Sequence, residues 1–248
     1  MREERVMVIT GGSNGLGAAV AEHFAVQGYG VVVHYFTEER GQATFDRIAA
    51  RAGEDRLMKF QADVASREQV SAMFDATMRH FGRVDILMNF AGINLDGPFL
   101  DMTDEQFDRV VSSHLKGHFI CCQEYVRRNP DRPGAIITLG ATCGKVGRHN
   151  GANFCSAKGG ILALTKCMAR ELAPRIRVNC LMPGSIQTRE VVERYDLDTE
   201  EGLERELATL PMGRLGELTD ATQMVEAILG AEFTTGENFY VNGGQFMA

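Results

Sequence analysis

The 248 residues suffice for one α/β domain, and a globule of that size buries roughly 70–75% of its unfolded surface without disulfides or metal. The formal charge of −7, with acids and bases interspersed, argues against nucleic acid as a partner, because that role asks for a basic face. No apolar run is long enough to span a bilayer, and the charged start Met1-Arg2-Glu3-Glu4-Arg5 leads straight into a strand, so neither a membrane span nor a signal peptide is expected. Cys121, Cys122, Cys143, Cys155, Cys167 and Cys180 form no C-x-x-C pair. They are expected as buried, reduced thiols of a cytoplasmic protein.

Residues 6–9 form a short apolar strand that runs into Thr10-Gly11-Gly12-Ser13-Asn14-Gly15-Leu16-Gly17. A helix follows to about residue 27, then a second strand at 31–35. Strand, glycine loop, helix and strand make a βαβ crossover, with a right-handed parallel pair expected. The loop lets the backbone approach a pyrophosphate at the helix N-terminus, where free N–H groups and the dipole favour anions.

A helix over 38–52 leads to a strand at 57–61 and to Asp63-Val64. Ser66-Arg67-Glu68-Gln69 reads as a capping box for a helix to residue 81. A strand at 86–89 enters Phe90-Ala91-Gly92, and Thr103-Asp104-Glu105-Gln106 caps a long helical stretch to about 128. A strand at 135–139 precedes the stretch 141–158, and a helix spans 153–172 with Ile161, Leu164, Thr165 and Met168 near one face. A strand at 177–181 leads to Pro183-Gly184-Ser185-Ile186-Gln187-Thr188. Residues 189–210 read as an acidic, mobile lid with one or two short helices, its Glu200, Glu201, Glu204 and Glu206 solvated. A helix at 220–229 and a strand at 239–241 precede Asn242-Gly243-Gly244. The alternation implies a single Rossmann-type domain over residues 1–248: a doubly wound parallel sheet of about seven strands with helices on both faces.

These motifs together resemble the short-chain dehydrogenase/reductase family, of the 3-oxoacyl-carrier-protein reductase type. The resemblance rests on the glycine loop 10–17, Asp63-Val64, Asn89-Phe90-Ala91-Gly92, Ser156-Ala157-Lys158-Gly159, Arg177-Val178-Asn179-Cys180 and Pro183-Gly184, nearly the whole chain. It implies NAD or NADP as cofactor, held by Gly11, Ser13, Asn14, Gly15, Leu16, Gly17, Asp63, Val64, Asn89, Ala91, Gly92, Lys158, Pro183, Gly184, Ile186 and Thr188.

In the family a Tyr four residues before the Lys passes the proton, a Ser at the preceding strand end holds the reacting oxygen, and the Lys binds the nicotinamide ribose and lowers the Tyr pKa. An Asn on the long helix completes a water relay. Those positions here are Phe154, Ala141, Lys158 and His114. Phenylalanine passes no proton, a function typically worth about 10²–10⁴ in rate. Alanine donates no hydrogen bond to the reacting oxygen, worth about 10²–10³. Thr138 and Thr142 are nearby hydroxyls, and Thr142, one place on, should leave the strand end in another direction. The second strand ends in His34-Tyr35-Phe36-Thr37, with neither the acid that suits NAD nor an Arg for NADP; Asn14 stands where phosphate-binding members often have Arg, and Phe90 replaces a second Asn.

His114 and His118, one helical turn apart, have metal-ligand spacing without a third ligand, and read better as helix residues facing a partner or solvent. The resemblance, with its altered site, implies a catalytically silent subunit paired with an active relative in a heterotetramer, or with itself, through the helices 103–128 and 153–172. Phe107, Val111, Phe119, Ile161 and Leu164 are the apolar members of those faces. The family contains such mixed assemblies, among them a two-subunit 3-oxoacyl reductase. Another is the hydroxyacyl-CoA dehydrogenase of anaerobic benzylsuccinate (toluene) β-oxidation, acting on 2-(hydroxybenzyl)succinyl-CoA, and the chain is similar in kind to its silent subunit. Alternatives are an active reductase with His114 or water as proton source, and a nucleotide-sensing protein without turnover.

Overall fold

The computed structural model describes residues 5–247, so the charged start at Met1–Glu4 lies outside the described residues. Its seven strands are β1 (Val6–Thr10), β2 (Gly30–Tyr35), β3 (Leu57–Gln61), β4 (Ile86–Asn89), β5 (Gly134–Leu139), β6 (Ile176–Pro183) and β7 (Asn238–Val241). They make one sheet in the order β3-β2-β1-β4-β5-β6-β7, every pair parallel. Helices cover both faces, so every residue of β1, β2 and β4 is buried, as the near-continuous apolar runs of a parallel sheet require.

Alternation along the strands divides the core in two. Met7, Ile9, Val31 and Val33 pack against α1 (Gly15–Val26), α2 (Glu38–Ala52) and α10 (Leu218–Gly230), through Val20, Phe24, Ile48 and Val225. Val8, Val32, Leu87 and Ile136 face α3 (Arg67–Phe81) and α5 (Gly117–Arg127), through Met73, Phe74, Ile120 and Tyr125. The strand order reverses between β1 and β4, and the crevice at their C-terminal ends is where open sheets of this kind bind ligands.

The long helix expected over 103–128 is interrupted. α4 (Asp104–Val111) passes into a π turn, Ser112–Lys116, before α5. Its Thr103 capping box is complete, Thr103 Oγ1 accepting from Gln106 N at 3.2 Å and Gln106 Oε1 from Thr103 N at 2.9 Å. The box expected at Ser66 is only half formed. Ser66 accepts from Gln69 N, but Gln69 Oε1 accepts from Asp63 N at 2.7 Å and so tethers the end of β3. A short helix unforeseen in the sequence, α6 (Cys143–Val146), fills the bend before α7 (Ala152–Leu172). The lid contains two short helices, α8 (Arg189–Tyr195) and α9 (Glu200–Leu207). Ile161, expected on a partner-facing surface, lies wholly in the core with Leu162, Cys180 and Met182. The helix face it shares with Thr165 is turned to the sheet, and Leu164 and Met168 beside them are part exposed.

Candidate active site

A cleft of about 750 Å³ opens over the carboxyl ends of β1, β2, β4, β5 and β6. It is lined by Gly11, Ser13, Asn14, Gly15, Leu16, Gly17, Asp63, Val64, Ala91, Gly92, His114, Ala141, Phe154, Lys158, Pro183, Gly184 and Thr188. Two residues expected there are elsewhere. Asn89 is buried behind the wall, its Oδ1 accepting from Thr10 Oγ1 at 3.4 Å and its Nδ2 donating to the carbonyl of His118 and to Cys122 Sγ. It joins β4 to α5. Ile186 faces a smaller adjoining cavity with Leu210 and Met212.

Packing explains much of the glycine loop. A Cβ on Gly17 would overlap the Gly11 carbonyl, and one on Gly11, at φ +68°, would come 2.9 Å from Ala91 Cα. Gly15 differs. At φ +48° its Cβ would merely touch Thr188, so this glycine serves backbone conformation and access to the cleft. Asn14 caps α1 by accepting from Gly15 N at 2.9 Å.

The β2 end holds a device the sequence reading missed. His34 Nε2–H donates to the carbonyl of Ala62 and Nδ1 accepts from Gly11 N, each at 3.0 Å. A carbonyl only accepts, which fixes the tautomer. Burial pushes the His34 pKa down to about 4, so the ring is a neutral strut between the glycine loop and β3. Arg40 and Arg109 also line this end, Arg109 lying 3.4 Å from Asp63 and 5.8 Å from the Phe36 ring centre. Arg40 comes from the first turn of α2, beyond the strand end where a basic group was sought.

At the other end Phe154, in the first turn of α7, is nine-tenths buried. The His114 ring meets it edge-on at 5.0 Å. Three cations surround it: Arg148 at 4.6 Å from the ring centre, Lys158 at 5.3 Å and Arg194 at 5.7 Å. Lys158 Nζ donates to the Leu139 carbonyl at 2.7 Å, and burial lowers its pKa to about 8. Ala141 lies just past β5 and contributes no polar side chain.

His114 Nε2–H donates to the Ile93 carbonyl at 2.9 Å, which leaves Nδ1 as an acceptor without a partner. Burial, and then Lys158, hold its pKa well below the ordinary 6.5. His118 is also buried, with a pKa pushed down to about 3. Both histidines therefore point into the protein, contrary to the expectation of a partner-facing or solvent-facing pair. The π turn and α5 pack that side against β4. Among the described residues no group of three or more His, Cys, Asp or Glu could hold a metal ion.

Thr138 is committed to the core through Thr165, Oγ1 to Oγ1 at 2.7 Å. Thr142, expected to point away, lines the cleft with its hydroxyl buried and without a protein partner. Glu206, expected as solvated, is 7% exposed and accepts from Ser185 Oγ and from Gln245 Nε2, so it latches α9 to the loop after β6 and to the C-terminal tail. All six cysteines are free, but only Cys121, Cys122 and Cys180 are buried; Cys143 and Cys155 are part exposed and Cys167 is exposed. Amphipathic helix faces put those three near the surface.

A doubly wound parallel sheet with a glycine loop after β1, a lysine on α7 and a cleft at the β1/β4 switch defines a nucleotide-binding oxidoreductase fold. The family profile described as enoyl-(acyl carrier protein) reductase matches residues 11–245. The chain is 36% identical over 252 residues to the 3-oxoacyl-[acyl-carrier-protein] reductase FabG of Staphylococcus aureus, covering all of both chains. It is 35% identical to 3beta-hydroxysteroid dehydrogenase 1 of Eggerthella lenta, over 97% of this chain and 93% of that one. A crystal structure of a short-chain dehydrogenase/reductase (glucose/ribitol dehydrogenase) from Brucella melitensis superposes with a TM-score of 0.89 at 30% identity, over 98% and 97% of the two chains. The chain belongs to the short-chain dehydrogenase/reductase family and is similar to its 3-oxoacyl-carrier-protein reductases, a group that works with NAD(P)H. Among the described residues no helix is long and apolar enough to cross a membrane.

Proposed function

We propose that this chain is a non-catalytic subunit of an NAD(P)-dependent short-chain dehydrogenase that acts on a 3-hydroxyacyl or 3-oxoacyl thioester. The observation that carries the reading is Phe154. The ring sits beside Lys158 and Arg148, in a site whose residue 141 is alanine, and neither position offers an O–H. His114 is no substitute acid, because its one N–H is spent on Ile93 and its pKa lies far below neutrality. A nicotinamide dinucleotide in the cleft would supply or take a hydride; positions 141 and 154 offer no hydroxyl to move the accompanying proton.

The partner is an active relative in a heterotetramer, met through α4, α5 and α7. Phe119 is 41% exposed on α5, with Phe107, Val111 and Leu164 also part exposed, and such helix faces suit an obligate interface of more than about 2,000 Å². The two-subunit dehydrogenase for 2-(hydroxybenzyl)succinyl-CoA is the assembly to try first. The test is hydride transfer to or from a 3-oxoacyl or 3-hydroxyacyl thioester by the isolated chain, with either nucleotide. We expect none; turnover abolished by Lys158→Ala would overturn the reading. Charged substitution at Phe119 or Leu164 should split the complex, and a partner indifferent to this chain would defeat the subunit role.

A second reading, a nucleotide held without turnover, is favoured by Gly15, which opens the cleft wall where packing does not demand it. The α1 N-terminus with Ser13, Gly15 and Leu16 would take the pyrophosphate, Asp63 and Val64 the adenosine side, Lys158 and the loop from Pro183 to Thr188 the nicotinamide side. Calorimetric titration with NAD and NADP separates this from an empty scaffold: heat saturating at one site per chain supports it, and no heat with either nucleotide rejects it.

A further inference from the structure

Cys143 and Cys155 take no part in the function proposed above, yet the fold brings them together. Cys143 opens α6 and lines the cleft, and Cys155 ends the first turn of α7, directly after Phe154. The two helices meet with no side chain between them. A Cβ on Gly144 would come 2.8 Å from the carbonyl carbon of Lys158, and one on Gly159 would come 3.0 Å from the carbonyl oxygen of Gly144. Cys143 is the chain neighbour of the first glycine. Cys155 lies one helical turn before the second, on the same face of α7. The glycine crossing thus sets one thiol against the other, and the Cys143 and Cys155 side chains are hydrogen-bonded.

Helical bonds hold both backbones in place: Gly147 N donates to the Cys143 carbonyl and Cys155 N to the Gly151 carbonyl, each at 2.8 Å. Both residues are part exposed, so a reagent in solution reaches them, whereas Cys121, Cys122 and Cys180 are buried. Cys167 is exposed but lies about 18 Å further along α7, out of disulfide reach of Cys155.

We propose that Cys143 and Cys155 are a redox-active dithiol that closes to a disulfide by exchange with a small-molecule disulfide of the glutathione type. The Cys155 thiolate attacks one sulfur of the reagent, breaks its S–S bond and releases a thiolate, which takes up the proton that Cys155 gave. Cys143 then loses its proton, attacks the Cys155 sulfur and releases the second reagent thiol. Two protein thiols are oxidised, and one reagent disulfide is reduced to two thiols. The order follows from charge. Burial, and then a thiolate at Cys155, hold the Cys143 pKa above the ordinary thiol range, while Arg148 and Lys158 pull it down. Once the Cys155 sulfur sits in a mixed disulfide it carries no charge, and the two cations then favour the Cys143 thiolate that completes the bond. The bond ties cleft-lining α6 to the turn that carries Phe154, so the thiol poise of the surroundings acts on the wall of the site. This inference needs neither turnover nor a partner, and it stands apart from the subunit reading.

The test is to treat the intact, reduced chain with glutathione disulfide, quench in acid, alkylate the remaining thiols and map the peptides by mass spectrometry. The expected product carries a Cys143–Cys155 disulfide, glutathione on Cys167, and alkylated Cys121, Cys122 and Cys180. Dithiothreitol should reopen the bond. Cys143→Ser should leave glutathione trapped on Cys155. In urea the pairing should scatter over several cysteines, because the helix crossing that selects this pair is gone. Glutathione on both Cys143 and Cys155 with no bond between them would overturn the proposal. So would a Cys155–Cys167 bond, the same selective pairing in urea, an unmodified Cys155 in Cys143→Ser, or a reduced pair beside a modified Cys167. Mapping of the parent chain decides the matter even where a serine variant fails to fold.

Discussion

Lys158 holds its ammonium 5.3 Å from the centre of the Phe154 ring and donates to the carbonyl of Leu139 at 2.7 Å. In a tyrosine enzyme that cation would lower the pKa of a phenol one helical turn before it. Here it faces a hydrocarbon ring, with Arg148 and Arg194 also within 6 Å of the ring centre.

Phe154→Tyr should therefore create a phenol with a pKa below the ordinary value near 10, because three cations favour its anion. Absorbance of the phenolate against pH, relative to the parent chain, measures it. A new phenol titrating at or above 10 would mean that burial outweighs the cations. Activity should stay well short of an ordinary family member even in Phe154→Tyr with Ala141→Ser, since His114 still occupies the relay position and Arg148 still crowds the ring. Groups that act as a unit are not restored one by one.

Acid should destabilise the fold above the range where carboxylates titrate. Burial holds His34 near a pKa of 4 and His118 near 3, whereas both take a proton near 6.5 when unfolded. Between those values the unfolded chain binds more protons, so stability is full above about pH 6.5 and falls as pH drops towards the folded values. His34 alone should account for about 2 kcal/mol lost by pH 5. Urea midpoints from pH 7.5 to 5 should show the slope, flatter in His34→Gln. A parent chain with no slope in that window would contradict the neutral, buried rings.

Gly92 should tolerate no side chain while His114 is present. A Cβ there would fall within the His114 ring, so Gly92→Ala should cost about 1–3 kcal/mol by overpacking. In a His114→Asn background, which places the usual family residue on the helix, the same change should cost much less. The difference is a coupling energy measurable by denaturant unfolding of the four chains. Equal costs in both backgrounds would show that the ring is not what excludes the methyl group.

Glu206→Ala should loosen the lid. It leaves Ser185 Oγ and Gln245 Nε2 without their shared acceptor, a loss of about 1–3 kcal/mol. Amide exchange in α9 and in the loop after β6 should accelerate more than exchange in β1 or β4. Uniform acceleration across the sheet would place the effect in global stability instead.

Much of this was legible in the chain itself. Seven strands and their helices follow from apolar runs, glycine turns and caps, because those signals are local. The loss of oxygens at positions 141 and 154 was legible from the lysine motif. What lay hidden depends on contacts between distant residues. Arg148 meets Asp96 across 52 positions, and His34 meets Ala62 across 28. The histidines at 114 and 118 looked outward on helical spacing alone because a π turn was not visible. Glu206 resembled its solvated neighbours until the tail brought Gln245 to it.

That π turn, Ser112–Lys116, carries a consequence for how the gene can change. A π turn holds one residue more than the α-helix around it, so the two halves of the helix are out of phase by about 100°. Deleting one residue there would let the helix run straight and swing Ile120, Cys121 and Tyr125 away from the sheet they pack against. Most loops of this chain could lose a codon and adjust nearby. In this helix the number of residues is itself part of the fold, and a single in-frame deletion would rotate Ile120, Cys121, Cys122 and Tyr125 out of one core together.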